Sequence, residues 1–203
     1  MSQEFVQVPI EELRVGFGRR FGALFLDIII IILISGIVAF TAGSAIEPLV
    51  EQKLSAQLEQ TELSELDSEQ AEVVMGWTKT GTLWGFIGSI VGLLYSLLEI
   101  VAAATPGKMM LGIKIANADG TAASTQTLVT RWLIKYGLAS ILSIIGMVSD
   151  NAVPNTLASL VNLVIFIGCF LALGQTRQAL HDRIAKTAVY RREHIIQPEP
   201  ATV

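Results

Sequence analysis

Arg19-Arg20-Phe21-Gly22-Ala23-Leu24-Phe25-Leu26-Asp27, with the apolar run from Ile28 to Ile46 behind it, is the stretch on which the fold turns. As a helix rising 1.5 Å per residue, an apolar run of this length crosses a hydrocarbon core of about 30 Å. Its leading end carries an arginine at the mouth and an aspartate already inside. Arg20 and Asp27 are seven residues apart, close to two turns, so they project from one face. Along the axis they stand roughly 10 Å apart, too far for a direct salt bridge within the helix. Each must find partners elsewhere in the chain.

The composition agrees with a membrane solvent. The chain has 203 residues, 52% hydrophobic and 16% charged, with mean hydropathy +0.58. Soluble domains carry about a quarter charged residues. A net charge of −4, without a basic stripe interleaved with aromatics, argues against nucleic-acid binding. The single cysteine, Cys169, excludes an intrachain disulfide and a thiolate cluster for zinc, so no metal or cofactor is expected. Its place in an apolar run suits a small buried hydrophobe. The first apolar run exceeds the roughly 7–15 residues of a secretory signal core, and Glu11 and Glu12 precede it, which favours a retained span.

Working outward, the expected spans are 21–46, 81–104, 132–148 and 157–173. Met1 to Arg19 reads as an interfacial lead-in interrupted by Pro9, and Glu47-Pro48 as the end of the first span. Residues 47–80 read as an acidic external loop. There Val50, Leu54 and Leu58 recur every four residues, fitting an amphipathic helix that is either a solvated connector or a partner-binding lid. The second span carries small residues at Gly81, Gly85 and Ser89, and at Gly88, Gly92 and Ser96, a pattern that lets helices approach closely and predicts a central place in the bundle. Ile113-Lys114-Ile115 with Asp119-Gly120 predicts a small local hairpin. Gly107-Lys108 lacks the spaced glycine and following Ser/Thr of a phosphate-binding loop. The brief connection Ser149 to Thr156, holding Pro154, makes the last two spans an antiparallel hairpin. Gln175 to Arg192 is basic, and 193–203 reads as a flexible tail with Pro198 and Pro200. The expected fold is an all-α membrane protein with four transmembrane helices and small cytoplasmic loop elements, forming one domain over 1–192.

Four spans put both termini on one side. Twelve of the 14 Lys and Arg residues fall in the terminal regions and the second loop; only Lys53 and Lys79 fall on the other side. The positive-inside rule makes the termini cytoplasmic, in a cytoplasmic (inner) membrane.

Ionisable residues in or beside the spans are Arg20, Asp27, Glu99, Arg131, Lys135 and Asp182. A charge in a span costs about 2.5–3.5 kcal/mol on insertion scales, so these groups should face the interior and pair. Two readings follow. In one, Asp27 is the coupling carboxylate of a solute or ion transporter driven by a proton or monovalent cation, with Arg20 tuning it and Asp182 and Arg131 closing the site. In the other, the charges are a static network. The outer halves of the spans hold no ionisable side chain and offer only neutral polar groups such as Thr41, Ser44, Ser89 and Asn162, which favours the static network for any one charge. A competing function is a membrane adaptor that assembles with a partner protein, or with a second copy, through the glycine-rich span or the acidic loop. His181, beside Asp182, fits a hydrogen-bonded structural histidine better than a proton shuttle. No nucleophile motif accompanies it, so an enzyme is not expected.

Three segments together resemble the RDD family of small integral membrane proteins. They are Arg20-x-x-Ala23-x-x-x-Asp27; Thr105-Pro106-Gly107-Lys108-x-x-x-Gly112-Ile113-Lys114-Ile115 with Asp119-Gly120 and Arg131; and Gln178-x-x-His181-Asp182-x-x-Ala185-x-Thr187. The resemblance implies that Arg20, Asp27 and Asp182 are the signature residues, with Lys108 and Thr187 in support, and that the role lies in transport.

Overall fold

The computed structural model of the chain describes residues 9–58, 68–149 and 152–196. In order, the elements are α1 (Ile10–Leu13), α2 (Phe17–Leu58), α3 (Ser68–Ser96), α4 (Leu98–Ala102), α5 (Pro106–Met110), β1 (Ile113–Asn117) and α6 (Thr125–Trp132). A π turn at Leu133–Gly137 leads into α7 (Leu138–Val148), followed by α8 (Ala152–Cys169) and a 3-10 turn at Phe170–Leu173. Then come α9 (Leu180–Ile184), β2 (Thr187–Arg191) and a last 3-10 turn at Arg192–His194.

Four stretches among the described residues are long and apolar enough to cross a membrane: Phe17–Pro48, Glu72–Ala102, Thr125–Gly146 and Ala152–Leu173. Their outward side chains would be untenable in water: Phe40 is 93% exposed and Val101 84%. Such faces belong against lipid, where a helix satisfies its own backbone.

The helices run further than the hydropathy alone indicated. Pro48 does not end the first helix; it lies inside α2, exposed, and the helix continues to Leu58. A proline forfeits one backbone hydrogen bond, and the Glu-, Gln-, Leu- and Ala-rich residues that follow have helix propensity enough to carry on. The expected loop over 47–80 is therefore helical on both flanks, and residues 59–67 lie outside the described part. Pro154, expected in a connection, sits in the first turn of α8, where a proline ring fits without loss.

Contacts group the described residues into two compact units. One comprises residues 28–95, most of α2 and α3. Within it Lys79 lies 2.6 Å from both Glu47 and Glu51, and a Cβ on Gly36 would reach the Trp84 ring at 3.7 Å. Within this unit, a Cβ added at Gly81, Gly85, Gly88 or Gly92 of α3 meets nothing within 4 Å among the described residues.

The other unit holds the residues up to Asp27 and from Ser96 onward. Its core gathers Val15, Ala23, Ala103, Ile113, Ile115, Leu128 and Val189. Burying each large aliphatic side chain there contributes about 1.5–3 kcal/mol. The expected local hairpin is replaced by a long-range one: β1 pairs antiparallel with β2, Ile113 opposite Arg191 and Asn117 opposite Thr187. The Asp119-Gly120 turn does form, with Gly120 at φ 85° and Asn117 N–H donating to Thr121 O at 2.9 Å. It returns only a single bridge, Ala116 to Ala122. The residues that follow it, Thr121-Ala122-Ala123-Ser124, lack apolar alternation, whereas Thr187-Ala188-Val189-Tyr190 can bury both faces and wins the pairing.

The segment expected to be a loose tail is tied down as far as Ile196. Ile195 is buried with Ala116, Ala188 and Tyr190, and Ile196 exchanges backbone hydrogen bonds with Gly120 and Ala122 at 3.0 and 3.1 Å. Pro198 and Pro200 lie outside the described residues. Cys169 is half-buried rather than buried.

Candidate functional site

The site is assembled from the two conspicuous loops and the ends of three helices, all within the second unit. α5 starts where Pro106, with its fixed φ, opens a helix after extended Thr105. The short helix then presses against α2: a Cβ on Gly107 would stand 2.4 Å from Ala23 O and 2.6 Å from Asp27 Oδ1. Only glycine permits that approach. Asp27, 7% exposed, accepts from Thr105 Oγ1 at 2.6 Å and from Gly107 N–H at 2.7 Å. Each residue of Thr105-Pro106-Gly107-Lys108 thus has a separate task, and the fourth, Lys108, is turned onto Glu99.

Glu99, in α4, is 2% exposed and receives three cations. Lys108 Nζ donates to Oε1, Lys135 Nζ reaches the same oxygen at 3.2 Å, and Arg131 Nη1 donates to Oε2 at 2.6 Å. The π turn after α6 carries Lys135, one turn beyond Arg131, and its ammonium also sits 4.4 Å from the Tyr136 ring centre. Trp132 Nε1 donates to Ser96 Oγ at 2.8 Å and fixes this helix near α4.

Arg131 joins Glu99 to a second carboxylate. Its Nε donates to Asp182 Oδ1 at 2.9 Å, and Nη2 lies 3.1 Å from His181 Nε2. Arg20 takes the other Asp182 oxygen, and also donates to Val15 O at 3.0 Å and Arg177 O at 2.6 Å. Asp182 closes the first turn of α9 by accepting from Ala179 N–H at 3.2 Å. Gln178 bridges outward, accepting from Arg14 at 3.3 Å and donating to Thr187 O at 2.7 Å.

Electrostatics follow from this geometry. Burial would raise the Asp182 carboxyl, but Arg131 and Arg20 outweigh it and hold it well below the usual carboxylate range. Burial, reinforced by the Arg131 charge, pushes His181 down to about 2, so its ring is neutral. With Nε2 accepting from Arg131, the proton belongs on Nδ1, which is buried and has no hydrogen-bond partner among the described residues. Burial also lowers Lys108; Glu99 opposes this, Lys135 and Arg131 add to it, and the ammonium falls to about 8.

The structure brings together Arg20, Glu99, Lys108, Arg131, Lys135, His181 and Asp182 in one connected cluster. Thr187 is fully buried beside it, with its hydroxyl 3.5 Å from Asp182 O. Arg20 commits its guanidinium to Asp182 and two carbonyls. Asp27 accepts from Thr105 and Gly107, because α5 lies against the face of α2 on which it projects. One contributor had no sequence signal: Arg14, 7% exposed, donates to Tyr190 Oη, Thr176 O, Gln178 Oε1 and Ala118 O. Nothing in its mixed polar surroundings distinguishes it from a solvated arginine.

Four apolar spans with a buried, ion-paired cluster where their ends meet two loops define a multi-pass membrane protein organised by internal charge. The particular family is equally definite: residues 14–186 match the model of the RDD family, and the chain belongs to it. No curated protein and no solved structure shows a significant match.

Proposed function

We propose that the chain is a proton-coupled membrane transporter in which Lys108, paired with Glu99, exchanges the coupling proton. One observation carries this reading: three cations converge on the single carboxylate of Glu99. Of the groups joined by these ion pairs, Arg20, Lys108, Arg131 and Lys135 face only Glu99 and Asp182, and counting Asp27 still leaves cations in excess. A buried cationic excess disfavours a further metal cation and favours shedding a proton. Lys108 is the group that sheds it at least cost, since Glu99 keeps Arg131 and Lys135 when Lys108 becomes neutral. Arginine does not deprotonate in proteins. Asp27 then serves as the positioning residue that holds α5, and hence Lys108, in register. The lysine and arginine count supports cytoplasmic termini, and with that orientation the cluster would lie on the cytoplasmic side of an inner membrane.

The test uses sealed liposomes loaded with a pH-sensitive dye, with sodium and potassium gradients imposed in turn. Lys108→Arg keeps the charge but cannot release the proton, and should be folded, abundant and inactive. Lys108→Met should be folded and inactive as well. Proton movement that survives in both variants, or an inert wild-type protein across these gradients, would sink the transport reading.

A second reading, a non-transporting adaptor for a partner membrane protein or a second copy, is favoured by the small-residue ladder on α3, which meets no described neighbour within its own unit. Glycine-to-leucine changes at Gly85 and Gly92 should abolish a stable complex in that case and leave proton movement unaffected in the first.

A further inference from the structure

Arg19 and Arg20 are neighbours with opposite fates. Successive helical residues diverge by about 100°, so Arg20 turns in to Asp182 while Arg19 stays exposed, with no hydrogen bond or ion pair among the described residues. Arg19 lines an open cleft of about 660 Å³ together with Arg14, Arg177, Arg191, His194 and Glu12. Its lining holds four arginines and one carboxylate, Glu12, with Glu11 3.6 Å from Arg14 and Glu193 3.5 Å from Arg191 beside it.

Two of the arginines are part of the wall. Arg177 Nη1 donates to Glu12 O at 2.8 Å and Arg14 O at 3.0 Å, and Arg14 is saturated by its own four acceptors. The other two are available: Arg19 is unengaged, and Arg191 has only an exposed contact with Glu193 at 3.5 Å. The cleft is therefore a built, cationic recess with two guanidinium groups left for a ligand.

Its position selects the ligand. The cleft opens at the first residues of the span Phe17–Pro48. Phe17, between the cleft residues Gly16 and Gly18, stacks on Phe21 at 5.9 Å and on Phe170 at 5.5 Å, and Phe170 meets Phe166 edge-on at 5.6 Å. Phe21, Phe166 and Phe170 are all exposed. A cationic recess for an anion thus adjoins an aromatic apolar surface at a membrane boundary. We infer that the cleft binds the headgroup of an anionic phospholipid, with its acyl chains laid along this phenylalanine cluster. A free phosphate shares the headgroup chemistry but makes no use of the aromatic face. This inference is independent of the transport reading.

The full chain in a neutral detergent supplies the test, with bound lipid counted by native mass spectrometry and the melting temperature followed in parallel. Dioleoyl phosphatidylglycerol should bind saturably and raise the melting temperature, whereas dioleoyl phosphatidylcholine should do neither. Each arginine near an anionic surface contributes about five-fold (~1 kcal/mol), so Arg19→Gln with Arg191→Gln should weaken phosphatidylglycerol binding about 30-fold. Both side chains are exposed, so the lipid-free melting temperature should hold. Equal binding of the two lipids, or undiminished affinity in the double variant, overturns the proposal. Inorganic phosphate that reproduces the whole stabilisation without lipid overturns it too, assigning the cleft to a soluble anion.

Discussion

Glu99 and Lys108 contact one another, yet removing them should have opposite consequences. Glu99→Gln strands Lys108, Lys135 and Arg131 without their shared counter-charge, an uncompensated burial that typically costs about 3–5 kcal/mol. Lys108→Met removes one member of a cationic surplus and replaces it with a flexible apolar chain, so its stability should be near or above wild type. Thermal melts of the two variants in detergent check this. A Lys108→Met protein as unstable as Glu99→Gln would mean the three cations are not redundant. The same lysine gives a pH signature. With the folded value near 8 and the ordinary value at 10.5, the unfolded chain binds more protons between these limits. Stability then rises with pH across that window, and the penalty is fully present below pH 8. Glu99, Arg131 and Lys135 face this ammonium, and Asp27 holds the backbone beside it. Melting temperatures from pH 7.5 to 10 should climb in wild type relative to Lys108→Met, whereas parallel curves would contradict a depressed lysine.

At the scale of elements, the short helix Pro106–Met110 matters more than its five residues suggest. It covers Asp27, delivers Lys108 to Glu99 and leads into β1. At Gly107 it lies hard against the Ala23 carbonyl and the Asp27 carboxylate. Gly107→Ala would press a methyl group into a main-chain oxygen and the Asp27 carboxylate, neither of which is the free end of a flexible chain. A cost of about 1–3 kcal/mol is expected from such overpacking, read as a lower melting temperature, with Gly112→Ala failing for a different reason, its φ of 64°. The loop's importance was legible in the order Thr-Pro-Gly-Lys. Its partner was not, since nothing in the spacing of Asp27 says that the neutral donors Thr105 and Gly107 will reach it. Similarly, Asp119-Gly120 announces a turn, but β1 finds its partner some seventy residues later in β2. Strand pairing depends on which segment can bury both faces, a property of the packed unit and not of the local string.

Across the whole molecule, the uneven distribution of Lys and Arg makes a firm prediction. A reporter inserted within residues 59–67, between α2 and α3, should read as external, and one fused after Arg192 as cytoplasmic. The reverse pattern would move the Glu99 and Asp182 cluster to the other face and remove the basis for a cytoplasmic proton site. Four spans, their approximate places and the RDD family membership follow from sequence by itself, because hydropathy over some 20 residues and motifs in fixed order are local quantities. Arg20, Glu99, Arg131 and Asp182 could likewise be picked out, since a charge in or beside an apolar run must find a partner. Which partner it finds was decided only by tertiary structure. Arg20 took Asp182 and two carbonyls, Asp27 took Thr105 and Gly107, and Glu99 collected three cations, because the Gly107 approach to α2 and the pairing of β1 with β2 set which side chains come within bonding distance.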